Sequence, residues 1–507
     1  MLSDSFLGKL YCCWADSWIC ALLGSFWRCL QRQARESLIL RLAFGPTRAD
    51  ALYSQSCCAR VQRRTADGLL RLLRPLAAGI EESYICSAIA AAARSSRVAR
   101  FECFFGAFCC WMFLVPHSDW NNLYALIGAL AFLAAYLLLA AGGARRLLYP
   151  DELGLGLALF ALACLLSMLF TTSPAASLRV LMYYLTALIL CYLVAAVCRD
   201  RQSLRRFLAF LYVSMLLVSL MGLAQRLLDM VEVDYMFTDT AINQGVPGRV
   251  YASLDNPNNL SGFLQVFLPI GAAYAAGTRR QGLRALLTLG LALPLVVLVM
   301  TYSRSGWLAM LLAALVYVYF CNKKLLPVFV LLGILALPLM PNSVLVRIST
   351  IFNARDTSRV HRIAIWQGVL KLLSDRGYWL TGIGLGPAAF QDAYPRYAVP
   401  LGTNGAFHSQ MLYLELDLEL GILGFLSFFW MLLKLAGRAG RAMRRSDRRG
   451  GRLLMIAVLS TLAALAVSGA AEYVWFYQRC IFAFFLFLGV AMSALRIAES
   501  EAGPCGR

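Results

Sequence analysis

The sequence predicts an all-α, polytopic helical membrane protein with about twelve transmembrane helices, and three observations predict it. Of its 507 residues, 60% are hydrophobic and only 15% charged; soluble domains are nearer half apolar and a quarter charged. Apolar runs of about 20 residues recur after residue 100, the length that crosses a hydrocarbon core of roughly 30 Å. Arginines gather at the ends of these runs and on alternate connections. A soluble enzyme and a disordered chain are excluded. A β-barrel is excluded as well, because its strands alternate over segments of about ten residues.

Residues 1–98 are basic, Cys-containing and only moderately hydrophobic, and read as a cytoplasmic extension. No basic stretch followed by an apolar core and cleavage site marks a signal peptide. Segment 17–42 mixes Trp18, Leu22, Leu23, Trp27 and Leu30 with Arg28, Arg32, Arg35 and Arg41. That pattern suits an interfacial amphipathic helix on the membrane surface; a poorly ordered basic extension accounts for it equally well.

Nine spans are expected in the membrane domain 99–340, at 101–116, 122–141, 152–171, 177–198, 204–228, 255–276, 283–300, 305–321 and 325–340. Three more, at 409–433, 453–470 and 474–496, fill 409–496, and 497–507 is a tail. Their connections alternate in charge. One set carries Arg145-Arg146, then Arg199, Arg201, Arg205 and Arg206, then Arg279, Arg280 and Arg284, then Lys323-Lys324, and the dense 434–452 segment. The other set has no Lys or Arg in 117–121 or 171–176, an acidic 229–248, and Glu472. The positive-inside rule places the first set and both termini in the cytoplasm, and 341–408 outside. The net charge of +20 is thus a matter of topology, and no nucleic-acid partner is expected. The sixteen Cys fall in apolar runs, in the basic N-terminal region or at the extreme C-terminus. None lies in a segment expected outside, none makes a metal-spaced pair, and they read as apolar filler or reduced thiols.

The connection 341–408, between the ninth and tenth predicted spans, is far longer than the others, and loops of that length are functional or disordered. Ile363, Ile365, Trp366, Val369, Leu370, Leu372 and Leu373 repeat at helical spacing, so a helical extracytoplasmic loop domain is expected, followed by a turn at Gly382, Gly384 and Gly386. The loop holds Arg347, Arg355, Arg359, Arg362, Arg376 and Arg396 on the side where arginine is otherwise scarce. A guanidinium offers phosphate a planar fork of donors without a metal. The bland alternative is a basic surface held by anionic headgroups. Arg304, in Ser303-Arg304-Ser305-Gly306, is squeezed between two spans, where a charge is costly unless it faces a cavity, a partner or the headgroups.

All three histidines, His117, His361 and His408, fall on the same side. His408 stands where the loop re-enters the membrane. At 100° per residue Glu415 and Glu419 lie within about 40° of it on one helical face, with Asp417 opposite. A titratable ring at the lip of a buried acidic stripe suits a proton acceptor, although an ordinary interfacial His and structural Glu–Arg pairs fit the same pattern. No nucleophile elbow and no zinc-like ligand set is present.

Four stretches in order resemble the O-antigen ligase and O-antigen polymerase superfamily of bacterial membrane glycosyltransferases. They are Gly248-Arg249 through Asp255-Asn256-Pro257-Asn258-Asn259-Leu260; Ser303-Arg304-Ser305-Gly306-Trp307; Arg362-Ile363-Ala364-Ile365-Trp366 with Thr381-Gly382-Ile383-Gly384-Leu385-Gly386; and His408 through Leu414-Glu415-Leu416 to Glu419-Leu420-Gly421-Ile422-Leu423-Gly424. The resemblance spans roughly 100–500. Ser409 stands where the family has Asn, and Trp379-Leu380 where it has a Pro-Leu or similar pair. The resemblance implies a cell-envelope enzyme of polysaccharide biosynthesis in the bacterial plasma membrane. It would move a glycan from an undecaprenyl diphosphate carrier to a hydroxyl of a lipid, glycan or protein acceptor at the outer face, needing no cofactor and no metal. Arg304 and Arg362 would bind the diphosphate and His408 would be the catalytic base. Arg249, Arg359, Asn258 and Glu415 are further substrate-binding candidates. The competing expectation is a transporter or flippase of lipid-linked glycans, against which the off-centre large loop and the absence of a half-to-half repeat both count; a structural membrane scaffold is a third.

Overall fold

The computed structural model describes residues 48–83, 100–231, 245–353, 356–375, 377–400, 403–446 and 448–501, with a few isolated positions before 48. Most of segment 17–42, Arg355, Arg376 and the acidic Glu232, Asp234 and Asp239 lie outside the described residues. Among those described every regular element is helical. In chain order they are α1 Ala49–Gln55, α2 Cys57–Glu82, α3 Phe101–Leu114, α4 Asn122–Ala141, α5 Leu155–Leu166, α6 Pro174–Val197, α7 Arg201–Leu227, α8 Pro257–Ala276, α9 Gln281–Gly290 and α10 Ala292–Met300. After these come α11 Arg304–Asn322, α12 Leu326–Ala336, α13 Asn342–Ser349, α14 Thr357–Ser374, α15 Tyr378–Thr381, α16 Pro387–Ala393, α17 Leu412–Arg445, α18 Arg449–Gly469 and α19 Gln478–Glu501.

Eight helical stretches are long and apolar enough to cross a membrane, against the twelve spans expected. They are α4, α6, α7, Gln281–Met300, Arg304–Leu339, α17, α18 and α19. The difference has identifiable causes. Expected spans 101–116 and 152–171 are the shorter apolar helices Phe101–Leu114 and Leu155–Leu169. Expected span 255–276 is α8, whose Asn258, Asn259, Ser261 and Gln265 dilute its hydropathy, yet which is buried on nearly every face, as a central helix is. Expected spans 305–321 and 325–340 fall within one run. That run turns at Asn322, whose backbone is extended (φ −161°, ψ 101°), and Met340 comes back to pack on the cluster of Tyr302 and Val344 together with Trp307.

The two sets of connections separate to opposite ends. At one, Glu102 pairs with Arg145 (3.3 Å) and Arg206 (2.7 Å), Arg201 pairs with Glu501, Arg438 with Glu499 at 2.9 Å, and Arg452 donates to the Phe320 carbonyl at 3.3 Å. The described part of the N-terminal region docks at this end: Asp50 accepts the Leu155 N–H at 2.9 Å, Arg63 pairs with Asp151, and Tyr149 donates to Asp67 at 2.8 Å. At the other end sit the starts of α8, α11 and α17 and the whole stretch from α13 to α16. This stretch has an apolar cluster of its own, in which Ile365, Val369 and Leu372 of α14 meet Ile383, Phe390 and Tyr394.

α17 is where that stretch is joined to the bundle. Gly421 interrupts it with φ 63° and ψ −172°, a left-handed conformation that costs a residue with a side chain. The break frees the Leu418 carbonyl, which accepts the Ile383 N–H at 2.7 Å. A Cβ at Gly421 would stand 2.4 Å from the Leu380 carbonyl oxygen. Gly421→Ala is therefore expected to lower stability by about 1–3 kcal/mol from backbone strain alone, whereas Gly440→Ala, helical and with nothing within 4 Å, should be neutral or gain up to about 1 kcal/mol. Thermal unfolding of the two variants in detergent checks the contrast.

Candidate functional site

Three helices start at one place, each with a side-chain cap. Asn256 accepts the Asn258 N–H at 2.8 Å and starts α8 with Pro257 as its first residue; Ser303 starts α11; and Asp356 accepts the Arg359 N–H at 3.1 Å and starts α14. Helix starts carry partial positive charge and point N–H groups outward, which favours an anion. α11 comes close to α8 because residue 306 is glycine: a Cβ there would lie 1.8 Å from Ser261 Oγ. That approach fixes where Arg304 begins.

Four arginines converge on these starts. Arg304 is paired with Asp356 through two parallel bonds of 2.8 and 2.9 Å and also reaches the Thr350 carbonyl at 3.2 Å. Arg362, one turn into α14, pairs with Glu472 at 2.5 Å. Arg249 is buried, donating to the Thr301 carbonyl at 2.7 Å and to Asn258 Oδ1 at 2.8 Å. Asn258 in turn donates to Glu472 at 3.2 Å. Arg347, also buried, donates from Nε to the Tyr302 carbonyl at 3.1 Å.

The charges feel one another. Burial, then Arg347, Arg304 and Arg362, with Glu472 opposing, push the Arg249 guanidinium down to about 9. Burial, then Arg304 and Arg362, with Asp356 and Glu472 opposing, bring Arg347 to about 10. Burial alone would raise the Asp356 carboxyl, but its bonds to Arg304, the Arg359 N–H and the charge of Arg347 outweigh it and hold it below its ordinary value.

His408 stands beside this group, its ring 5.3 Å from Tyr473 and 4.9 Å from Phe476. Burial and the neighbouring Arg362 lower it to about 4, so it is neutral near pH 7. Its Nδ1 accepts the Gln410 N–H at 3.1 Å, which leaves the ring hydrogen on Nε2. The two glutamates of α17 hold this corner. Glu415 accepts the Ser409 N–H at 2.6 Å; Glu419 accepts from the Gly386 N–H at 2.9 Å, Tyr184 at 3.1 Å and Tyr473 at 3.2 Å. Backbone strain is concentrated here. Among the described residues five non-glycines have positive φ, and Ala252, Asp255, Tyr302 and Gln410 belong to segments lining this end.

Residues 289–429 match a family model, Wzy_C, described as O-antigen ligase. The likeness is to that segment of the chain and not to its whole length. No curated protein matches the chain. The match supports the expected superfamily of O-antigen ligases and polymerases, a membrane family that transfers glycans, and the apolar helices fit a multi-pass membrane protein. The matched segment contains Arg304, Arg347, Asp356, Arg362, His408 and both glutamates; Arg249, Asn258 and Glu472 complete the cluster from outside it.

Of the residues singled out in the sequence, the structure brings Arg249, Asn258, Arg304, Arg362 and His408 together. Arg359 is the outlier, its side chain exposed and its backbone N–H given to Asp356. Glu415 supports the His408 loop through Ser409. Arg347, Asp356 and Glu472 join the cluster without being among the candidate site residues of the sequence. Glu472 did carry a signal, being a carboxylate beside a helix end on the arginine-poor side.

Breaking a buried pair leaves an uncompensated charge, so Asp356→Ala should cost about 3–5 kcal/mol, against much less for an exposed pair such as Arg438–Glu499. Because the folded Asp356 pKa is depressed, its contribution is present above its unfolded value near 3.8 and lost as pH falls through the folded one. Melting temperatures of wild type and variant should therefore converge only in strong acid.

Proposed function

We propose that this protein transfers a glycan from an undecaprenyl diphosphate carrier to an acceptor hydroxyl at the outer face of the bacterial plasma membrane, both termini lying in the cytoplasm. The observation that carries the reading is the meeting, among the described residues, of Arg249, Arg304, Arg347 and Arg362 with Asp356 and Glu472 beside His408. Four positive charges less two negative leaves two, and a diphosphate esterified at both ends carries two negative charges.

Transfer breaks the bond between the anomeric carbon and the diphosphate oxygen while the acceptor oxygen bonds to that carbon. Negative charge grows on the departing diphosphate, and guanidiniums already held in place by Asp356, Glu472 and Asn258 stabilise it without reorganising. The three helix starts add to the same field. Attack from the face opposite the leaving group inverts the anomeric centre, and the acceptor hydroxyl gives up its proton. His408 takes it. A neutral imidazole is the form that can, and burial, helped by Arg362 beside it, keeps the ring from being protonated beforehand. To accept at Nδ1 the ring must release the Gln410 N–H, a local bond in a segment already strained at Gln410.

A second reading rests on the same hydrogen bond. With Nδ1 occupied, Nε2–H is a donor, and His408 would bind a diphosphate oxygen. The two roles differ in what a substitution changes.

Arg304→Ala and Arg362→Ala are expected to abolish transfer while the protein still inserts in the membrane, read as lipid-linked glycan consumed and acceptor glycosylated by purified protein; unchanged transfer in both removes the diphosphate clamp. His408→Ala should lower turnover by about 10²–10⁴ with donor binding retained, and a loss confined to donor binding would give the ring to the leaving group. With the base at about 4 in the free protein, the acidic limb of kcat/KM should fall near pH 4 and not near the ordinary histidine value of about 6.5. Transfer should persist in chelator.

A further inference from the structure

On the same end of the bundle a second polar group stands apart from the arginines. His117, in the turn after α3, places Nε2 3.5 Å from Asp255 Oδ1 and Nδ1 3.2 Å from the Tyr477 hydroxyl. That hydroxyl accepts N–H groups from Arg479, from Nε at 2.7 Å and also from Nη2. Its single hydrogen therefore goes to His117 Nδ1, and the neutral ring carries its own hydrogen on Nε2, toward Asp255. Arg479 itself has no exposed surface. It also donates to the carbonyls of Met112 at 3.2 Å, Val115 at 2.6 Å and Ser253 at 2.5 Å, tying together the segments that carry His117 and Asp255.

Behind this rigid support the two ends are open: the side chains of His117 and Asp255 are 47% and 50% exposed. Asp255 is held at φ 69°, a conformation a non-glycine keeps only where its surroundings impose it. Asp255 lies three residues before Asn258, the residue that joins Arg249 to Glu472. These residues are the turn and cap that open α8, so the pair stands at the mouth of the same helix start that carries Asn258. Between this pair and His408 is Phe476, 43% exposed, with its ring on His408 and Tyr477 following it in the chain.

We propose that His117 and Asp255 form a hydroxyl-binding subsite for the sugar attached to the diphosphate, an inference that rests on the glycan-transfer reading above. An exposed carboxylate repels phosphate and accepts hydroxyl hydrogens strongly, because the bond is charge-assisted. The end of the bundle is thus divided by charge. The arginines take the diphosphate, the Asp255 edge takes neutral sugar hydroxyls, and exposed Phe476 offers an apolar face beside them. A site built to bond a hydroxyl discriminates sharply against a ligand that lacks it.

The test uses the full-length protein in detergent and two probes, undecaprenyl diphosphate bearing a single N-acetylglucosamine and bare undecaprenyl diphosphate, with affinities read by thermophoresis. Wild type should bind the glycosylated lipid more tightly. Asp255→Asn keeps the shape and tolerates the left-handed backbone, and His117→Ala removes an exposed ring. Each should reduce affinity for the glycosylated lipid by about tenfold and leave the bare lipid unchanged. Equal wild-type affinity for the two lipids, or variants that weaken both alike or neither, overturns the subsite. Failure of wild type to bind the bare lipid sinks the diphosphate reading itself, and the subsite with it.

Discussion

Positive charge in excess, held at the end of an apolar bundle, is the constraint around which the molecule is organised. A guanidinium removed from water is tolerated when carboxylates and carbonyls surround it. Here Asp356 and Glu472 meet half of that requirement for four arginines, and the carbonyls of Thr301, Tyr302 and Thr350 meet more. What remains is a field that favours an anion, and the helix starts at Asn256, Ser303 and Asp356 deepen it. The two carboxylates have two roles at once. They fix Arg304 and Arg362 in a single geometry, and they keep the cluster from being so positive that the fold opposes it.

The same logic explains why a glycine-rich turn is buried beside two glutamates. Glu419 takes hydrogen bonds from α6, from the Gly386 turn and from the segment before α19, while Glu415 takes one from the residue after His408. Three parts of the chain remote in sequence, and the loop just before the helix, are thereby held to α17. His408 does not depend on its own short loop for its position; it inherits the position from α17.

The membrane architecture was legible because hydropathy and arginine placement are properties of local sequence. The alternation of charged connections reappears as two ends of the bundle, with Glu102, Arg145 and Arg206 at one and Arg304, Arg362 and Glu472 at the other. Expected span 255–276 is present as α8, yet it is not among the eight long and strongly apolar helices, because a helix buried on all sides carries amides where a lipid-facing one carries leucine. The site was partly legible. Arg304 and His408 stood out because charge is scarce at such places, and motif resemblance added Arg249, Arg362 and Asn258. Arg347 looked like any other loop arginine, since its burial is decided by α13 folding back on Tyr302. Asp356 looked like a surface carboxylate beside a threonine, and only its pairing with Arg304 across some fifty residues of chain gives it meaning. The exposed side chain of Arg359, three residues from Arg362, shows the limit of a motif that does not know which way a helix faces.

The interruption at Gly421 has a mechanical consequence. An unbroken α17 would act as a lever, carrying any tilt of its long arginine-ended portion straight to the histidine. With a joint at that point, the short upper piece is clamped to the turn above it, and a tilt of the lower piece need not be passed on to the cluster of Arg362, Glu472 and His408.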